Sequence, residues 1–185
     1  QQAAFLVFAW NELRMSVRQT EVDWTTALRG LAKEEGDRSE RPDDLKATDD
    51  LAFYGPFSLI CTDQGVRGFL QVLNDLCYQR ASLLKLNNWV PDERSAQDPI
   101  DAVQASLKSL RDQDFTAFVS EICQSLATFD WRTSASPGLE EGLRRAKLVF
   151  RGSSGYKELR TQLLEHLSAV PGAVGETAKR LIAQP

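Results

Sequence analysis

Histidine occurs once in this chain of 185 residues, at His166. A metal centre built on several imidazoles is therefore excluded within it, because each such ligand needs its own histidine. Cysteine occurs three times, at Cys61, Cys77 and Cys123. An odd number at wide spacing matches neither a disulfide framework nor a zinc signature, and it is the usage expected of a reducing cytoplasm. Each lies in an apolar pattern and is expected to be a small buried residue. Long apolar runs are also missing. The stretch AAFLVFAW is broken at once by Asn11, Glu12 and Arg14, too short for a bilayer and unlike a secretory signal, so no membrane partner is expected. The G-x-x-x-x-G-K-[ST] phosphate loop is absent, and no cofactor motif replaces it. Excess positive charge is absent too: 22 basic residues stand against 26 acidic ones, a net charge of −4. Such a balance argues against holding nucleic acid by bulk electrostatics.

What the chain does have is helical periodicity. Residues 3–19 read as a helix with Phe5, Phe8, Leu13 and Val17 on its apolar side. Asp23 suits the start of a second, with Trp24, Ala27, Leu28 and Leu31 as its buried stripe. Residues 33–50, KEEGDRSERPDDLKATDD, are charged with both signs and nearly free of apolar groups, as in a solvated or disordered loop. Phe57, Leu59, Ile60 and Cys61 then form a short apolar segment behind Gly55-Pro56, expected to be extended. Asp63 is expected to cap the most apolar helix, carrying Val66, Phe69, Leu70, Leu73, Leu76, Cys77, Leu83 and Leu84. After a polar stretch anchored by Trp89 and Pro91, Asp98-Pro99 joins a capping residue to a proline at the first helical position. Ser136-Pro137 repeats that pairing. Further helices are expected over Phe115–Leu126, Leu139–Val149, Tyr156–Val170 and 173–183.

The predicted architecture is all-α: one helical domain over 1–185, a bundle of about eight helices around a central buried helix, with at most one short strand. The chain opens at Gln1, without methionine and already inside a helical pattern, as a piece of a longer protein would.

The candidate for chemistry is a basic segment around a Gly-Ser-Ser-Gly turn at 152–155. Between 140 and 160, Arg144, Arg145, Lys147, Arg151, Lys157 and Arg160 face three acids, Glu140, Glu141 and Glu158. Backbone amides at Ser153, Ser154 and Gly155, opening a helix, can receive an anion, and the helix dipole adds to the attraction. Arg151 and Lys157 could neutralise a phosphate there. The turn Asp63-Gln64-Gly65 with Arg67 is a second candidate, better explained as a helix start. His166, beside Leu163, Leu164 and Leu167, is expected to be structural. Pro42-Asp43 and Pro91-Asp92 begin like a common nuclease motif, but neither is completed in a strand context, so nuclease activity is not expected.

Two segments, FSLICTDQGVRGFLQVLNDL and FRGSSGYKELRTQLLEHL, resemble regions of DGQHR-domain proteins, a group related to the DndB proteins of DNA phosphorothioation systems and more distantly similar to ParB-like folds. The DGQHR order itself is absent. Asp63-Gln64-Gly65 shares only its residue types, and no site is carried over. The resemblance implies the helical C-terminal part of a bacterial DNA-associated protein of modification or phage defence, cytoplasmic, partnered by DNA, by other subunits or by its own upstream domain. The function expected is a non-enzymatic scaffold and interaction module touching nucleic-acid phosphates. A nucleotide- or phosphate-binding enzyme domain using the 151–157 turn is one alternative. A purely structural protein–protein interaction domain is the other.

Overall fold

The computed structural model describes residues 1–34, 50–90 and 98–184. Among them are ten α-helices and no sheet. Helix α1 (Gln2–Gln19) buries Ala4, Phe8, Ala9, Leu13 and Val17, a stripe at the three- and four-residue spacing that keeps side chains on one face. Arg29, on α2 (Asp23–Glu34), donates to the carbonyls of Val17, Arg18 and Thr20, which the end of α1 leaves without helical partners. The α2 stripe differs from expectation: Trp24 and Leu28 are buried, but Ala27 is exposed and Thr25 takes the inward place. The charged 33–50 loop and the two Pro-Asp pairs lie outside the described residues, apart from the end of α2 and Asp50.

A single turn, α3 (Leu51–Tyr54), leads to the 57–61 segment. That segment is only locally extended. Ser58 forms an isolated antiparallel bridge with Arg132, and the rest is turn. Helix α4 (Asp63–Gln79) then buries Phe69, Val72, Leu73, Leu76 and Cys77. It ends before Leu83, which sits in the short α5 (Ala81–Leu84) and is exposed. Its cap is Thr62, not Asp63: the Thr62 hydroxyl accepts from Gly65 N at 3.1 Å, while Asp63, already helical, lies in solvent 3.5 Å from Arg67. Thr62 keeps the extended backbone a capping residue needs, and the chain turns helical one residue later.

Asp98 caps α6 (Pro99–Arg111) as expected, accepting from Ile100 N and Asp101 N at 2.8 and 2.9 Å. Helix α7 (Phe115–Ala127) buries seven residues and supplies the middle of the core together with α4. Its last carbonyls are taken by side chains: Trp131 Nε1 donates to Leu126 O at 2.7 Å, Trp24 Nε1 to Ala127 O at 3.1 Å, and His166 Nε2 lies 3.1 Å from Ser125 O. Ser136-Pro137 does not open a helix. The chain turns there, Gly138 takes a positive φ of 68°, and α8 (Glu141–Lys147) starts later. A 3-10 turn (Leu148–Phe150) leads to α9 (Gly155–Ser168), which packs along α4, and α10 (Ala173–Ala183) packs on both. No helix among the described residues is long and apolar enough to cross a membrane.

Candidate functional site

The two turns singled out in the sequence, 62–65 and 151–155, meet in space. Gly68 brings α4 close to Leu159 of α9, so the helices run side by side and their first turns adjoin. Gln64 Nε2 donates to Gly152 O at 3.1 Å across the gap. Gly152 holds a φ of 83°, a left-handed conformation that a side chain would strain. This turns the chain back, and Gly155 N closes on Gly152 O at 3.2 Å. Guanidinium stacking adds to the join: Arg67 of α4 lies 3.9 Å from the ring centroid of Tyr156 on α9.

A third wall comes from the loop after α7. Leu59 N donates to Trp131 O at 2.7 Å and Thr133 N to Phe57 O at 2.8 Å. This short pairing brings Thr133, Ser134 and Ala135 beside the two turns. The result is a cleft of about 270 Å³. Leu59 and Phe150 give it an apolar part, and Thr62, Gln64, Thr133, Ser134, Lys147 and Arg151 give it polar groups.

The eight residues expected to contact phosphate divide sharply. Arg144 ties down its own loop, donating to Ser134 O at 2.7 Å, Ser136 O at 3.2 Å and Leu139 O at 3.4 Å. Arg160 pairs with Asp75 at 2.6 Å, linking α9 to α4. Lys147 is 5% exposed, with Nζ 2.6 Å from Asp130 O and 3.5 Å from Asp130 Oδ1. Burial pushes its ammonium below the ordinary lysine range, and Asp130 pulls it partly back. Desolvation raises the Asp130 carboxyl, but hydrogen bonds from Arg132 and the charge of Lys147 outweigh it and hold the group below the usual range. Arg145 is exposed and paired with Glu141 at 2.9 Å. Ser153, Ser154 and Lys157 are exposed, and their side chains have no hydrogen-bond partner among the described residues. Arg151 is exposed at the cleft, with Nε bound to Ser134 Oγ at 3.0 Å and both Nη groups without a partner among the described residues.

Other candidates take structural places. His166 Nε2 lies 2.9 Å from Thr128 Oγ1, at the end of α7, and its ring stands edge-on to Phe129. Thr128 already donates to Ser125 O, so a hydrogen on Nε2 completes this arrangement. Cys77 and Cys123 are buried as expected, which raises both thiols, Cys77 to about 12. Cys61 is exposed instead, because its segment turns outward before the Thr62 cap. No group of three or more metal-ligating side chains occurs among the described residues.

The third wall was not foreseen from the sequence. Thr133 and Ser134 lie in a polar stretch without helical periodicity or a motif, and their neighbourhood is created by a bridge between residues more than 70 positions apart. No local signal in the chain marks such a pairing. No family model matches this chain, no curated protein matches it, and no solved structure does.

Proposed function

We propose that this chain is a non-enzymatic helical module that scaffolds a larger DNA-associated protein and touches nucleic-acid phosphate through the surface around Arg151. The observation that carries the phosphate part is the Arg151 guanidinium, fixed at the cleft by Ser134 through Nε while both Nη groups lack a partner among the described residues. A guanidinium held at one nitrogen has lost much of its rotamer freedom before a phosphate arrives, so less order remains to be imposed on binding. The DNA part rests on the resemblance of residues 57–76 and 150–167 to DGQHR-domain and DndB-like proteins of modification and defence systems. The net charge of −4 fits a few placed contacts better than a broad basic face.

The test is a salt series of binding to duplex DNA. Arg145, Arg151 and Lys157 are changed together to Ala, and Arg144, Lys147 and Arg160 are left to hold the fold. Each lost phosphate contact should reduce the slope of log K against log salt by about 0.9. A slope unchanged in the triple variant sinks the proposal.

A further inference from the structure

Single apolar residues are ordinary on a protein surface, whereas a contiguous apolar groove marks a place where something docks. One such groove, of about 380 Å³, lies between α1 and the first half of α4. Leu6, Val7, Trp10 and Asn11 form one side of it, Val66 and Leu70 the other. Trp10 is held in place by edge-on contacts with Phe53 and Phe69, at 5.3 and 5.9 Å between ring centroids. Helix α1 therefore has two apolar faces. One, with Phe8, Leu13 and Val17, is buried in the core. The other leaves Leu6 44% and Val7 41% exposed. We infer that this second face docks on the same face of another copy of the chain, giving a two-fold dimer of modest affinity.

The first argument is shape. In a two-fold interface a patch must be its own complement. Here the groove and a ridge able to enter it share one surface. Ala3, Leu6, Val7 and Trp10 recur along α1 at three- and four-residue spacing, the pattern by which an apolar helix lies in a groove.

Charge is the second argument. A patch that faces its own copy sets every charge near an equal one, so it has to be neutral. Residues 1–11 carry no charged side chain. The nearest charges beyond them are engaged within the chain: Glu12 accepts from Ser120 Oγ, Arg14 pairs with Asp50, and Arg67 pairs with Asp63 and stacks on Tyr156. The exposed α1 face also has none of the lysines and arginines with which a helix lies on an anionic lipid surface.

The chain's own remaining segments do not fit the groove. Residues 35–49 and 91–97 supply one large apolar side chain, Leu45. Size then sets the affinity. Stable interfaces use about 20–30 residues a side, and this groove is a smaller patch, so Kd should be on the order of 100 µM.

Sedimentation equilibrium on the full chain, from about 5 to about 500 µM, reads the association directly. The mass should rise over this range from 20.7 kDa towards twice that value. Leu6→Glu should weaken association at least about tenfold, because like charges then meet across the interface, and Leu6→Lys should do the same. An equimolar mixture of these two variants should associate again, as a face docked on itself requires. Position 6 is exposed, and circular dichroism checks that both variants keep the helical fold. Leu83→Glu, on α5 beyond the far end of α4, should leave association unchanged. A chain that stays monomeric throughout overturns the inference. If that monomer sediments with vesicles containing phosphatidylserine and Leu6→Glu does not, a lipid surface is the occupant instead. A dimer left intact by Leu6→Glu overturns the assignment to this face, and mixed variants that stay apart overturn the two-fold arrangement.

Discussion

Replacing Gly65 with alanine separates two effects that usually travel together. Alanine favours a helix over glycine by about 1 kcal/mol in the interior. In α4, however, a Cβ on Gly65 would sit 2.5 Å from Ile60 O and 2.8 Å from Ile60 C, and closer still to Leu59 O. All three are backbone atoms, so no side chain can rotate away. Either the first turn of α4 or the 59–61 segment must shift. Forced overpacking of this kind costs about 1–3 kcal/mol, and a backbone obstacle belongs at the upper end. Gly65 lies in the first turn, where the propensity gain is partial, so the net loss should be about 2 kcal/mol. For a chain of this length that corresponds to a fall in Tm of about 4–8 °C. Gly30 is the comparison. It lies inside α2, and a Cβ added there would meet nothing within 4 Å among the described residues. Gly30→Ala should therefore raise Tm by about 2–4 °C. Thermal unfolding followed by circular dichroism reads both. A Gly65→Ala protein as stable as the parent would refute the close approach of α4 to the 59–60 carbonyls, and with it one wall of the cleft.

Two further outcomes follow from the same geometry. Thr62→Ala should lose about 1 kcal/mol in urea unfolding, while Asp63→Ala should change stability by less than about 0.5 kcal/mol, because Thr62 is the capping residue. Asp130 has a folded pKa below its unfolded one, so its contribution is present above the ordinary aspartate range and is lost as pH falls through the folded value. Asp130→Asn should cost about 1–3 kcal/mol near neutral pH, leaving Lys147 buried without its counter-charge, and the variant should lose less stability than the parent on titration below about pH 4.

The helices were legible because their information is local. Six of the seven buried positions on α7, all but Ala127, and the Asp98-Pro99 start of α6 are written in consecutive residues. The errors arose where local chemistry had two solutions. Thr62 and Asp63 are both good capping residues, and the turn leaving Ile60 chose the first. Ser136-Pro137 is equally good as a helix start and as a turn, and Arg144 fixes the turn by holding the Ser134, Ser136 and Leu139 carbonyls. The basic segment was visible as composition, but composition does not say which cations face inward. Arg144, Lys147 and Arg160 are committed to a loop, to Asp130 and to Asp75, and only the tertiary arrangement separates them from Arg151.

The pairing of 57–59 with 131–133 has a kinetic consequence. It consists of two hydrogen bonds that join segments far apart in sequence, and on their own they cannot repay the entropy of closing so long a loop. They should form only after α4, α7 and α9 have docked, among the last steps of folding, and open among the first. The amides of Leu59 and Thr133 should then exchange with solvent faster than those of the α4 and α7 interior, and a ligand seated in the cleft should slow them first. The cleft would thus be assembled last and become the part of the molecule whose order a bound ligand changes most.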